Sequence, residues 1–129
     1  MGKLKKILLV DDDEAFNFLN RIAFNDSHIN CQLDEVMDGK AALDYLEKSI
    51  VCPDVILLDV NMPVMDGFEF LEQFEKQNKC NNISKVFILT SSLRDEDRMK
   101  SLNNKYVKGY FDKPLTAVHI KKILADFES

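Results

Sequence analysis

The chain has 129 residues, 46% hydrophobic and 30% charged, which is the composition of one globular domain spanning residues 1–129 rather than of a disordered tail. Its net charge of −5 argues against nucleic acid as a direct ligand, since a phosphate backbone needs a basic face. No apolar run approaches the roughly 20 residues that span a bilayer. The start, Met1-Gly2-Lys3-Leu4-Lys5-Lys6, reads as neither a signal peptide nor a myristoylation site, because Lys6 stands where a hydroxyl residue is required.

Strand-like and helix-like stretches alternate, which predicts βα units around a parallel sheet. The strand Lys6 to Val10 is uninterruptedly apolar from Ile7 to Val10, as a strand buried on both faces should be, and it runs into Asp11-Asp12-Asp13. Ala15, Phe16, Leu19, Ile22 and Ala23 recur at helical spacing and predict a helix from about Glu14 to Asn25, with Asp13 as its N-cap. A more alternating segment, Cys31 to Val36, predicts an edge strand. Asp38-Gly39 marks a turn, and Ala42, Leu43 and Leu46 form a helical stripe. Asp54 to Leu58 is a third strand ending at Asp59, and the Val60-Asn61-Met62-Pro63 stretch cannot continue as regular structure because of its proline. A helix follows Asp66-Gly67 with Phe68, Leu71 and Phe74 on one face. Strand four is Lys85 to Thr90. The helix after it, about Asp95 to Asn103, has few apolar anchors (Leu93, Met99 and Leu102) and is expected to be marginal. A fifth strand, Tyr106 to Phe111, precedes Asp112-Lys113-Pro114, and the last helix carries Val118, Ile120, Ile123, Leu124 and Phe127. Cys31, Cys52 and Cys80 are odd in number and lack metal-ligand spacing, so they are expected to be thiols in a reducing cytoplasm. His28 and His119 have no partner pattern and are expected on the surface.

In an open parallel sheet, ligands gather outside the carboxyl ends of the strands. Asp11, Asp12, Asp59, Thr90 and Lys113 should therefore share one crevice. Helix capping needs one carboxylate; several together repel unless something positive compensates, which points to a divalent cation and a lysine. Mg²⁺ suits such oxygen ligands, with Mn²⁺ as the alternative ion. A carboxylate such as Asp59 can also act as a covalent nucleophile towards phosphorus, provided the phosphoryl oxygens are neutralised. Lys113 can supply an ammonium for that purpose and Thr90 a hydroxyl.

These residues carry a family resemblance. Leu8-Leu9-Val10-Asp11-Asp12, Pro53-Asp54 through Asp59-Val60-Asn61-Met62-Pro63 with Asp66-Gly67, Leu89-Thr90-Ser91 and Gly109-Tyr110-Phe111-Asp112-Lys113-Pro114 resemble the receiver domain of two-component response regulators. The likeness covers essentially the whole chain. It implies a doubly wound, flavodoxin-like α/β fold with strand order 2-1-3-4-5. It implies Asp59 as phosphoacceptor, with Asp12, Asp59 and the backbone carbonyl of Asn61 on Mg²⁺ and Asp11 acting through water. Lys113 would pair with the phosphoryl group, the bond to Pro114 would be cis, and Thr90 with Tyr110 would form a switch pair. One departure stands out: Tyr106 and Val107 occupy positions where many receivers have a Gly-Ala pair, which bears on the partner face rather than on the active residues.

The expected partners are a histidine kinase or histidine phosphotransfer protein as donor and a downstream protein on the face of helix four, strand five and helix five. Neither nucleic acid nor membrane is expected as a direct partner. The expected chemistry is confined to the domain's own phosphorylation and dephosphorylation, in the cytoplasm, with no turnover of an external substrate. Ending just after the fifth helix, the chain reads either as a stand-alone regulator or as a piece of a longer one. Three other readings compete. An aspartate-nucleophile phosphatase of the haloacid dehalogenase type would use Asp11-Asp12-Asp13, but leaves the segment around Asp59 unexplained. A flavodoxin-like nucleotide binder needs a phosphate loop where the three aspartates stand. A pseudo-receiver that only binds a partner would not need Asp12, Asp59, Thr90 and Lys113 together.

Overall fold

The computed structural model describes residues 4–62 and 64–128. The leader and myristoylation readings at Met1 to Lys3 and the proline break at Pro63 lie outside the described residues. Ten elements alternate: β1 (Lys6–Val10), α1 (Glu14–Asp26), β2 (Gln32–Val36), α2 (Gly39–Lys48), β3 (Val55–Leu58), α3 (Gly67–Gln77), β4 (Lys85–Thr90), α4 (Asp95–Leu102), β5 (Val107–Asp112) and α5 (Ala117–Glu128). The strands form one parallel sheet in the order β2-β1-β3-β4-β5. This is the doubly wound flavodoxin-like arrangement that the motifs implied.

Side chains of a strand alternate between faces, and the core divides accordingly. Leu8, Val10, Ile56, Leu58, Val86 and Ile88 pack with Ala42 and Leu46 of α2 and with Phe70, Leu71 and Phe74 of α3. Ile7, Leu9, Val55, Leu57, Phe87 and Leu89 face the other way, onto Phe24 of α1 and Ile120 and Ile123 of α5. β1 and β3 are thus apolar throughout because both their faces are covered.

Several sequence expectations need correction. The stripe of α1 is rotated: Phe18, Leu19 and Ile22 are exposed, and the helix turns Asn17, Asn20 and Phe24 inward. Asn17 does so because its amide donates to the Asp11 carbonyl at 3.1 Å, an attraction that apolar periodicity cannot register. Asp38 is not merely a turn residue but the N-cap of α2, accepting from the Ala41 N–H at 2.8 Å. The three expected anchors of α4, Leu93, Met99 and Leu102, are all exposed, and Ser101 is its buried residue. Element ends differ by a residue or so: α1 runs to Asp26, β2 starts at Gln32, α4 stops at Leu102 and β5 spans Val107–Asp112.

The cysteine reading also changes. Cys52 and Cys80 form a disulfide across a sequence separation of 28, and Cys31 is the free thiol. The loops that lead into β3 and β4 meet at the amino-terminal ends of these adjacent strands, which no spacing rule reveals. His28 is exposed, whereas His119 is half-buried and stacks on Phe111 with centroids 4.6 Å apart.

Candidate functional site

Because the strands are parallel, β1, β3, β4 and β5 all deliver their carboxyl ends to one edge. Asp11 follows β1 and Asp59 follows β3; they are 4% and 5% exposed. Asp12 is exposed beside them, and the three carboxylates offer oxygens that all lie within 4.8 Å of one another. Asp13 stands apart from this group. It caps α1, accepting from the N–H groups of Ala15 at 2.9 Å and Phe16 at 3.2 Å, so the capping reading holds for it.

Lys113 enters from the end of β5, its N–H donating to the Thr90 carbonyl at 3.0 Å, and its bond to Pro114 is cis. Its ammonium, with the side chain 3% exposed, lies 2.5 Å from Asp11 Oδ2 and 3.0 Å from Asp59 Oδ2. The other Asp59 oxygen, Oδ1, accepts from the Thr90 hydroxyl at 2.7 Å and the Asn61 N–H at 3.1 Å. Asp59 is therefore held on both oxygens, by a cation on one and by neutral donors on the other. Gly67 lets α3 start against this loop, since a Cβ there would meet the Asp59 carbonyl oxygen and Val60 Cα at 2.8 Å.

The electrostatics follow from burial. Burial pushes the Asp11 carboxyl above its usual range, and the bond to Lys113 does not cancel that. Burial pulls the Lys113 ammonium down, but its pairings with Asp11 and Asp59 outweigh this and its pKa is raised. One cation thus sits among three acidic groups, a charge deficit that a second cation would relieve. The donor set fits a hard divalent ion: carboxylate oxygens, one of them exposed, beside the Asn61 backbone at the mouth of the same polar cleft.

Thr90 is fully buried and has a second contact, accepting from the Ser92 N–H at 3.2 Å. Ser92 in turn donates its hydroxyl to Asp97 of α4 at 2.6 Å and offers its carbonyl to the Tyr110 hydroxyl at 3.4 Å. Tyr110 is half-buried, and burial raises its pKa. Sequence reasoning assigned no role to Ser92; the only signal was its place two residues beyond Thr90. It also placed Phe16 in the α1 core stripe, whereas the ring lines the cleft over Lys113. At the departure from the Gly-Ala pattern, Tyr106 packs edge-on to Phe74 at 5.4 Å and accepts from the Asn81 amide, well away from the acidic cleft.

Residues 7–125 match the response regulator receiver domain family. The probable methanogenesis regulatory protein FilR2 of Methanothrix harundinacea is 34% identical over 95% of this chain and 80% of its own. The sensor histidine kinase CheAY of Helicobacter pylori is 28% identical over 92% of this chain, which spans 14% of that protein. Among solved structures, a two-component response regulator from Cytophaga hutchinsonii superposes with a TM-score of 0.89 at 32% identity, covering 98% of both chains. The chain belongs to the response regulator receiver domain family. Receiver domains are signalling modules that bind a divalent metal at an acidic pocket, and Asp11, Asp12 and Asp59 form such a group here. The phosphatase and nucleotide-binder readings are not favoured. Among the described residues, no helix is long and apolar enough to cross a membrane.

Proposed function

We propose that this domain accepts a phosphoryl group on Asp59 from the phosphohistidine of a histidine kinase or phosphotransfer protein. The observation that carries this reading is the two-sided hold on Asp59, with the Lys113 ammonium on Oδ2 and the Thr90 hydroxyl on Oδ1. A carboxylate held in this way is aimed, and a carboxylate nucleophile has no proton to lose in the attack, so no general base is needed. The Asp59 oxygen forms the new O–P bond as the N–P bond to the donor histidine breaks, and that imidazole leaves with the N–P electron pair. Asp12, Asp59 and the Asn61 carbonyl would hold Mg²⁺ (or Mn²⁺), with Asp11 acting through water. The ion supplies charge neutralisation for the phosphoryl oxygens. Lys113 meets the same oxygens from the other side.

Once Asp59 carries the phosphoryl group, the Thr90 hydroxyl turns from the carboxylate to a phosphoryl oxygen, and its movement makes room for Tyr110 to turn inward. This biases an existing equilibrium between two arrangements of the α4–β5 face. We assign the downstream protein contact to that face together with α5, the domain's chemistry to itself alone, and its place to the cytoplasm alongside a kinase. The kinship with a sensor histidine kinase supports a phosphohistidine donor. Incubation with acetyl phosphate and Mg²⁺ followed by intact-mass measurement tests the reading. One acid-labile phosphoryl group per chain is expected, lost in Asp59→Asn. Labelling that survives Asp59→Asn but is lost in Asp11→Asn would favour the phosphatase chemistry, and no labelling at all would leave a partner-binding module.

A further inference from the structure

An aromatic ring forms part of the wall of this acidic cleft. Phe16 lies in the first turn of α1, its N–H fixed by the Asp13 cap, and its ring stands over the Lys113 ammonium with Nζ 4.5 Å from the centroid. An ammonium has three N–H bonds to place. Two of them face Asp11 Oδ2 at 2.5 Å and Asp59 Oδ2 at 3.0 Å. The ring covers the remaining side, which accounts for a lysine side chain only 3% exposed at the mouth of a polar cleft. A π face attracts a cation where an aliphatic side chain would merely exclude water. Asp13, which stands apart from the metal-competent carboxylates, thereby has a use of its own: it fixes the backbone that aims the ring.

We propose that Phe16 is a positioning residue for phosphoryl acceptance, its π face holding the Lys113 ammonium aimed at Asp59 and away from bulk water. The inference rests on the reading of Asp59 as acceptor. Without the ring, the ammonium gains a water, its hydrogen bonds swing outward, and the phosphoryl group meets a less well-placed charge.

The test compares Phe16→Leu, which stays apolar without a π face, with Phe16→Tyr, which restores one. Circular dichroism first establishes that both fold. With acetyl phosphate and Mg²⁺, Phe16→Leu is expected to label roughly fivefold more slowly at saturating donor, and Phe16→Tyr within about twofold of the wild type. Beryllofluoride with Mg²⁺ should bind correspondingly more weakly to the leucine variant. Independently of any phosphoryl chemistry, the Lys113 side-chain methylene resonances should carry an upfield ring-current shift that persists in Phe16→Tyr and vanishes in Phe16→Leu. A leucine variant that labels as fast as the wild type, or a tyrosine variant as slow as the leucine one, overturns the positioning role. A wild type that retains the ring-current shift yet never labels defeats the acceptor reading, and the positioning role with it.

Discussion

Replacing Lys113 by methionine keeps an unbranched apolar stem, one atom shorter, while deleting the charge. The carboxylates of Asp11 and Asp59 have oxygens within 4.8 Å of each other and are 4% and 5% exposed. At an effective dielectric of about 20, two unit charges at that separation repel by about 3.5 kcal/mol. In the wild type the ammonium at 2.5 and 3.0 Å more than offsets this. Its removal leaves buried carboxylates uncompensated, at a cost of about 3–5 kcal/mol out of a total stability on the order of 5–15 kcal/mol. Asp11, already pushed up by burial, takes up a proton more readily in the variant. Its folded pKa then lies further above the unfolded value of 3.8, so the native state binds more protons than the unfolded state over that window. Stability falls as pH rises through it. Urea unfolding in EDTA should therefore show the deficit fully at pH 7 and a smaller one at about pH 5. Mg²⁺ supplies the missing positive charge. It should stabilise the variant by more than the wild type, for which a tenfold excess over the dissociation constant gives about 1.4 kcal/mol. A loss under about 1 kcal/mol at pH 7, unmoved by pH and by Mg²⁺, would refute this account of the site.

The Cys52–Cys80 crosslink closes a loop of 28 residues, so a thiol reductant should lower unfolding free energy by about 3.5 kcal/mol on the chain-entropy model. The Cys52→Ser/Cys80→Ser pair should be indifferent to reductant; an equal response in both proteins would show that the bond is not what the reductant acts on. His119 is held neutral by burial against Phe111, and its Nδ1 accepts the Thr116 N–H, so its folded pKa lies below 6.5. Its stabilising contribution is complete above pH 6.5 and is lost as pH falls through the window below it, at no more than about 1.4 kcal/mol per pH unit. Thermal melts of His119→Phe should lack that slope. Gly67→Ala should cost about 1–3 kcal/mol by pressing a methyl on the Asp59 backbone. Its amide spectrum should change around Asp59 and Asn61; changes confined to α3 would contradict that geometry. Ser92→Ala removes the hydroxyl tie to Asp97 while sparing the N–H to Thr90. Amide exchange in α4 should accelerate several-fold with labelling of Asp59 unaffected, and unchanged exchange would show that the tie carries nothing.

The fold was legible because parallel strands buried on both faces read as unbroken apolar runs, as in Ile7 to Val10 and Val55 to Leu58. The clustering of Asp11, Asp12, Asp59, Thr90 and Lys113 was legible for a related reason: helical returns leave every strand's carboxyl end on one side. What escaped was decided by individual partners. Asn17 turned α1 about its axis by bonding a backbone carbonyl, leaving Leu19 and Ile22 outside. The disulfide depends on two loops at the opposite end of neighbouring strands. Ser92 and Phe16 matter through what lies across space from them, Asp97 in one case and Lys113 in the other, and no local pattern announces either.

The two ends of the sheet treat the same residue type in opposite ways, and the contrast bears on where a change at Asp59 can be felt. At the amino ends, Asp54 is satisfied by the backbone N–H groups of Lys5 and Lys6 at 2.9 and 3.1 Å, Ser84 closes on the Pro53 carbonyl at 2.6 Å, and the disulfide ties β3 to β4. Nothing there gains by moving. At the carboxyl ends, aspartates face one another around a single lysine, a local conflict that a purely structural sequence would avoid. Above them lies α4, whose buried residue is a serine and whose amino end is tied through Ser92 to Thr90. An added charge at Asp59 therefore acts against a rigid base and a weakly held helix. Its free energy goes into the helix, since repacking α4 exposes little apolar surface while shifting any strand would break two packed faces at once.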